Sequence, residues 1–189
     1  MNSVFITGIP TSGKSYLADK VAASLGLVHV KMDDLWDTLA KDPVLEPWLN
    51  YFWHKDEAEY YHTTTRDEQW RDIVNQSEAF WETAKKHMEK IVAKGQPAIF
   101  EGVNLLPHLM CNCSLKGVVL LASSKSQVFE RLKANPRWSD KVDLQQIEAA
   151  AFFEGENAHY ATEAGRYGYP AFSDPSAAEA ELIKLIQQP

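Results

Sequence analysis

Residues 8–15 read Gly8-Ile9-Pro10-Thr11-Ser12-Gly13-Lys14-Ser15, the spacing G-x-x-x-x-G-K-[ST]. Nothing else in the chain restricts the fold so closely, because this spacing works only between a strand and a helix. Both flanks comply. Ser3-Val4-Phe5-Ile6-Thr7 is a short β-branched and aromatic run that reads as a buried strand. In Tyr16 to Leu25 the apolar residues Leu17, Val21 and Leu25 recur every four positions, which predicts a helix closed by Gly26.

The chemistry follows from that setting. Glycines let the backbone curl so that successive N–H groups point inward at phosphate oxygens. The helix adds the positive end of its dipole at the same place. Lys14 can reach the β- and γ-phosphates, and the Ser15 hydroxyl can ligate Mg²⁺. The segment Gly8, Ile9, Pro10, Thr11, Ser12, Gly13, Lys14, Ser15 and Tyr16 is therefore the candidate nucleotide-binding stretch.

Further strands are expected at Leu27–Met32, Ala98–Phe100, Gly117–Ala122 and Tyr169–Phe172, with helices between them. Such alternation implies a parallel sheet covered by helices on both faces. The second strand ends in Asp33-Asp34 and the third in Glu101-Gly102. Ligands of open α/β sheets bind at the carboxyl ends of strands, so these acids are expected near the phosphates. Asp33 and Asp34 can cap a helix over Leu35–Ala40, can do chemistry, or can divide the two tasks. Glu101 can orient Mg²⁺ through its waters.

The insertion between the second and third strands is too large for a plain crossover. It carries Trp48, Tyr51, Phe52, Trp53, Tyr60 and Tyr61, which suit a local core, a dimer surface or an aromatic acceptor pocket. Thr65-Arg66-Asp67-Glu68 forms a capping box opening a long amphipathic helix that Gly95 and Pro97 end. Arg66 and Arg71 can greet an acidic acceptor or, as surface residues of that helix, simply be solvated. Beyond a loop containing Leu105, Pro107 and Leu109, a helix over Ser126–Leu132 is broken by Pro136, which leaves Arg137 on a flexible element. Helices at Leu144–Ala164 and Ala177–Ile186 complete the chain.

Charge narrows the partners. The net charge is −7, and from Asp33 to Glu101 there are 15 acids against 8 Lys and Arg. That balance argues against nucleic acid. From Lys125 to Lys141, by contrast, five bases stand with two acids, which suits the grip on a nucleoside triphosphate. No apolar run approaches the roughly 20 residues of a membrane span. The chain opens directly into a strand, without a leader pattern, and Cys111 and Cys113 give no disulfide framework. A cytoplasmic protein with small buried cysteines is expected.

In element order, over nearly its whole length, the chain resembles the small P-loop kinases. These include the nucleoside monophosphate kinases, shikimate kinase, chloramphenicol phosphotransferase and the zeta-toxin group. The resemblance implies a P-loop NTPase three-layer α/β sandwich whose five-stranded parallel sheet has the order 2-3-1-4-5. It further implies one domain over residues 1–189, with a helical acceptor cap at about 35–95 and a lid at about 133–143. Met32-Asp33-Asp34-Leu35 is similar to the family's aspartate that serves as base toward an acceptor hydroxyl. Ile99 to Pro107, with Glu101-Gly102, resembles the acidic-Gly turn, most closely that of 2-phosphoglycerate kinase-like proteins. Arg131 and Arg137 are similar to the paired lid arginines. Trp36 and Asn104 stand where monophosphate kinases carry arginines for the acceptor's phosphate, which favours an alcohol acceptor.

These features imply an ATP- and Mg²⁺-dependent kinase acting on a hydroxyl of a small molecule. Lys14, Asp33, Arg131 and Arg137 are the catalytic candidates, and Ser15 and Glu101 the metal-holding ones. A nucleoside or nucleotide kinase and an ATP-binding regulatory protein are the alternatives.

Overall fold

In the computed structural model, residues 1–35, 39, 41–49, 56–137 and 139–188 are described. Five parallel strands form one sheet: β1 Val4–Gly8, β2 Val28–Lys31, β3 Ala98–Glu101, β4 Lys116–Leu120 and β5 Ala171–Phe172. Their spatial order is 2-3-1-4-5. The helices, in chain order, are α1 Lys14–Leu25, α2 Glu46–Leu49, α3 Glu57–Thr63, α4 Arg66–Val92, α5 Pro107–Met110, α6 Lys125–Ala134, α7 Val142–Ala150, α8 Asn157–Tyr167 and α9 Pro175–Gln187.

Strand alternation explains the two sides of the sheet. Val4, Ile6, Ile99, Val118 and Leu120 point to one face and pack on Leu17 and Val21 of α1 and Leu182 and Ile186 of α9. Phe5, Ala98 and Phe100 point to the other, where Met32, Met88, Leu105 and Met110 meet them. Val119 and Ile9 continue that side against Val128, Leu132, Phe152, Tyr160 and Ala164. Both faces are covered, so the inner strands are mostly apolar, as the sequence pattern requires.

Local signals settle many boundaries. Gly26 closes α1 in the left-handed conformation at φ 67°. Thr65 and Glu68 make the reciprocal capping box at the start of α4, with Thr65 N–H donating to Glu68 Oε2 at 2.8 Å. That helix runs 27 residues, and its inner face includes Phe80 and Met88.

Three expectations change. Pro107 starts a short helix instead of lying in a loop, because proline is well suited to the first helical position, where an N–H has no partner. The helix expected from Leu144 begins at Val142 and passes through a π-helical turn, Ala151–Glu156, before α8. Asp33 and Asp34, expected just ahead of a helix from Leu35, lie inside a 3₁₀ helix, Met32–Leu35. Most of the stretch expected to continue it, and Tyr51, Phe52 and Trp53, fall outside the described residues. Of the remaining aromatics, Tyr60 is buried and donates to Asp72 Oδ2 at 3.0 Å, and Trp48 packs beside Leu39 and Phe80.

Candidate active site

The carboxyl ends of β2, β3 and β1 lie side by side, and each contributes to one constellation. From β1 the chain turns through Gly8 at φ 134°, where a Cβ atom would stand 1.9 Å from Leu120 O. Only glycine fits. Gly13, at φ 97°, precedes α1, and no side chain caps that helix or places an acid in its first turn. The first-turn N–H groups, which have no partner within a helix, are thus left for an anion. Thr11 Oγ1 and Ser12 Oγ are also buried without a hydrogen-bond partner among the described residues. Orphaned donors at the positive end of a helix are what a phosphate group satisfies.

Lys14 lies across this loop with only 7% of its surface exposed. Its ammonium donates to Gly8 O at 3.0 Å and Ile9 O at 2.7 Å. Burial lowers its pKa to about 8; Glu101 opposes that shift, Arg137 adds to it, and Asp33 and Glu156 oppose it. Four charged groups from four parts of the chain therefore act on one ammonium.

Glu101 ends β3, is buried, and stands in register with Ile6 of β1 and Lys31 of β2. Its Oε1 accepts from Ser15 Oγ at 2.8 Å. A hydroxyl and a carboxylate are the hard oxygen donors that Mg²⁺ takes, so the pair fits the ion. Among the described residues no cluster of three or more acids, histidines and cysteines could hold a metal. Mg²⁺ suits such a site, since it is commonly held by one or two protein groups together with phosphates.

Beside Glu101 stands a residue that no local pattern singles out. His29 of β2 places Nε2 3.6 Å from Glu101 Oε1, while its Nδ1 lies 2.6 Å from Asp19 Oδ1 on α1. Asp19 is held below the usual carboxylate range by that hydrogen bond. The contact depends on the register of β2 against β3, which no local pattern encodes.

Asp33 is exposed beyond β2, close enough to Lys14 to influence it. Its Oδ1 lies 3.7 Å from where a Cβ on Gly102 would be, and Met32 Cβ is nearer still at 3.1 Å. Gly102 thus lets the two acidic strand ends approach each other. Arg131 of α6 is half-buried and donates to Thr11 O at 2.7 Å, which anchors the phosphate loop; burial lowers its pKa. Arg137 follows in the non-helical segment between α6 and α7, and its charge reaches Lys14, Glu57, Glu148 and Glu156. Tyr16 lies 74% exposed beside Ser15.

Several sequence expectations need correction. Arg66 is half-buried, packs against Gly155 and influences Glu156, so it is not merely solvated. Cys111 is exposed, because it caps the solvent side of α5, whereas Cys113 is half-buried. Asn104 donates to Gln76 Oε1 at 3.2 Å and Ser77 Oγ at 2.8 Å, tying the turn after β3 to α4.

The chain matches no protein-family model and no curated protein in sequence. In structure it is similar to deoxyadenosine kinase from M. mycoides with bound dATP, at TM-score 0.53 and 14% identity over 100% of both chains. It is also similar to TT1252 from Thermus thermophilus, at TM-score 0.59 and 13% identity over 100% of both. Shikimate kinase from Bacteroides thetaiotaomicron is matched at TM-score 0.48 and 17% identity over 99% of each chain. With its sheet order and its Gly8–Ser15 loop, the chain has the fold of the small-molecule P-loop kinases.

Proposed function

We propose that this protein transfers the γ-phosphate of ATP to a hydroxyl group of a small-molecule acceptor. The observation that carries the reading is the convergence on Lys14 of the phosphate loop, the Ser15–Glu101 pair and Asp33. Phosphoryl transfer asks a protein mainly to position groups and to neutralise charge. The loop N–H groups and Lys14 hold the phosphates, and Arg131 and Arg137 add positive charge from the segment about 133–143 and its flank. Mg²⁺, held by Ser15 and through water by Glu101, supplies further neutralisation of the phosphate oxygens when bound.

The acceptor oxygen forms a bond to the γ-phosphorus while the bond from that phosphorus to the ADP oxygen breaks. Asp33 orients the hydroxyl and takes its proton late, which an ordinary carboxylate can do in a loose transition state. The helical insertion of residues about 35–95 serves as the acceptor cap. Asn104 is engaged with α4, and so does not offer a grip for an acceptor phosphate. That supports an alcohol acceptor over a nucleoside monophosphate.

Two variants test the division of labour. Asp33→Asn should cut acceptor phosphorylation by about 10²–10⁴-fold, the range for a positioned base, and leave Mg·ATP affinity nearly unchanged. Glu101→Gln should shift the Mg²⁺ dependence of the rate, because a metal-bound water loses its charged partner. If Asp33→Asn shifts the metal dependence and Glu101→Gln does not, the two roles are reversed. If neither variant changes turnover, the two acids have no part in transfer and serve only as turn and capping residues.

A further inference from the structure

Four polar side chains meet between α1 and the sheet. Ser15 and Asp19 stand four residues apart on α1, which puts them on one face of the helix. Opposite them, His29 of β2 is in register with Ile99, and Glu101 lies two residues further along β3. Ile99 packs against α1, so by strand alternation His29 and Glu101 project to the same side. Three links join the four groups. Ser15 Oγ donates to Glu101 Oε1 at 2.8 Å, and His29 Nδ1 lies 2.6 Å from Asp19 Oδ1. The third link is open. His29 Nε2 stands 3.6 Å from Glu101 Oε1, beyond a hydrogen bond, and has no partner among the described residues. Both side chains are largely shut off from bulk water, at 9% exposed for His29 and 8% for Glu101.

Asp19 settles the tautomer. The hydrogen bond from His29 holds its carboxyl below the usual range, so Asp19 is ionised and can only accept. Nδ1 therefore carries the hydrogen, and in the neutral ring Nε2 is an acceptor. It faces a carboxylate oxygen, which is an acceptor too. Two acceptors at this separation do not hold each other, but one donor with two hydrogens can serve both. Lys14 is engaged elsewhere, its ammonium donating to Gly8 O and Ile9 O. Hydrated Mg²⁺ brings such donors. The ion dehydrates reluctantly and keeps several waters when phosphates and one or two protein groups hold it.

Resting on the placement of Mg²⁺ at Ser15 and Glu101, we propose that His29 is a positioning residue for the ion. Its Nε2 and Glu101 Oε1 together form a two-acceptor seat for water of the Mg²⁺ shell, and Asp19 locks the ring in place. His29 acts through that water and touches neither nucleotide nor acceptor. Its demand is chemical: leucine can fill part of the space but cannot accept, whereas glutamine carries an amide oxygen that can.

The test is calorimetric titration of Mg²⁺ into the ADP-loaded protein, beside titration of ADP in the presence of EDTA. His29→Leu should weaken Mg²⁺ binding about 10- to 100-fold, the usual cost of losing an outer partner of a metal site, with metal-free ADP affinity nearly unchanged. His29→Gln should recover most of the loss. Asp19→Ala, which leaves the imidazole in place, should weaken Mg²⁺ binding in the same direction but by less. Thermal unfolding checks that each variant is folded, and if His29→Leu is not, Asp19→Ala decides by the same criterion. Unaltered Mg²⁺ affinity overturns the proposal. So does a parallel fall in metal-free ADP affinity, which marks a distorted loop, or glutamine that serves no better than leucine, which makes shape the only requirement. Neither titration needs an acceptor. Variants that shift Mg²⁺ affinity in a protein that phosphorylates nothing would keep the role of His29 and remove the kinase reading. Phosphoryl transfer by the parent, with Mg²⁺ affinity unmoved in the variants, would do the reverse.

Discussion

At the scale of single residues, Lys14 is held from several sides. Its stem is buried and its ammonium is fixed by two loop carbonyls. Lys14→Ala should leave cooperative unfolding intact and lower acceptor phosphorylation by at least about 10²–10³-fold, the usual loss for a preorganised donor to transition-state charge. Thermal unfolding and a turnover assay on the same preparation check both halves. Arg137→Ala should lower kcat more than it raises KM for ATP, since the guanidinium is expected to act as charge develops. Unchanged kcat would remove Arg137 from the machinery. Lys14, Ser15 and the loop glycines were legible because one local spacing carries their whole geometry. His29 was not. It is an ordinary strand residue until β2 is laid beside β3, which brings Nε2 to 3.6 Å from Glu101.

At the scale of elements, caps and periodicity read truly while polar burial did not. The start of α4 followed from Thr65 and Glu68, yet its inner face also buries Gln69, Gln76 and Ser77. Gln76 has a distant partner, its Nε2 donating to Trp48 O at 2.8 Å, whereas Gln69 Nε2 donates to Thr64 Oγ1 and Ser77 Oγ to Ile73 O, both close in the chain. A helical pattern marks such residues as outward-facing. The acids of α3, α7 and the π-helical turn misled for the same reason: in sequence they resemble any solvated helix face. The π-helical turn itself leaves no sequence mark, although such turns are frequent at functional sites.

Stability should report the buried acids Glu148 and Glu156. Burial and the neighbouring Glu57 raise the Glu148 pKa to about 8, and burial raises that of Glu156 to about 7. In the unfolded chain both lie in the ordinary carboxylate range near 4.3. The folded protein therefore holds more protons than the unfolded chain between those limits. Its stability falls as pH rises from about 4 through 8. Glu148→Gln removes part of that dependence. It should flatten the curve and raise the melting temperature at pH 8.5 by roughly 2–4 °C for each 1 kcal/mol recovered. A melting temperature at pH 8.5 below that of the parent would show that the carboxylate is stabilising in place.

For the molecule as a whole, the loop, the alternation of strands and the apolar inner strands led to the parallel sheet. The order 2-3-1-4-5 came from resemblance, because periodicity cannot say which strands are neighbours. Among the described residues no helix is long and apolar enough to cross a membrane. The acid excess from Asp33 to Glu101 falls in the stretch from the end of β2 to the end of β3, and the bases from Lys125 to Lys141 in the segment that carries both proposed phosphate arginines. The most direct measurement is acceptor-dependent formation of ADP from Mg·ATP across a pool of small alcohols, by the parent protein and by Lys14→Ala. A kinase gives ADP and a phosphorylated acceptor in equal amounts with the parent and neither with the variant. ATP binding that Lys14→Ala weakens, with no acceptor phosphorylated by the parent at any concentration, would contradict it.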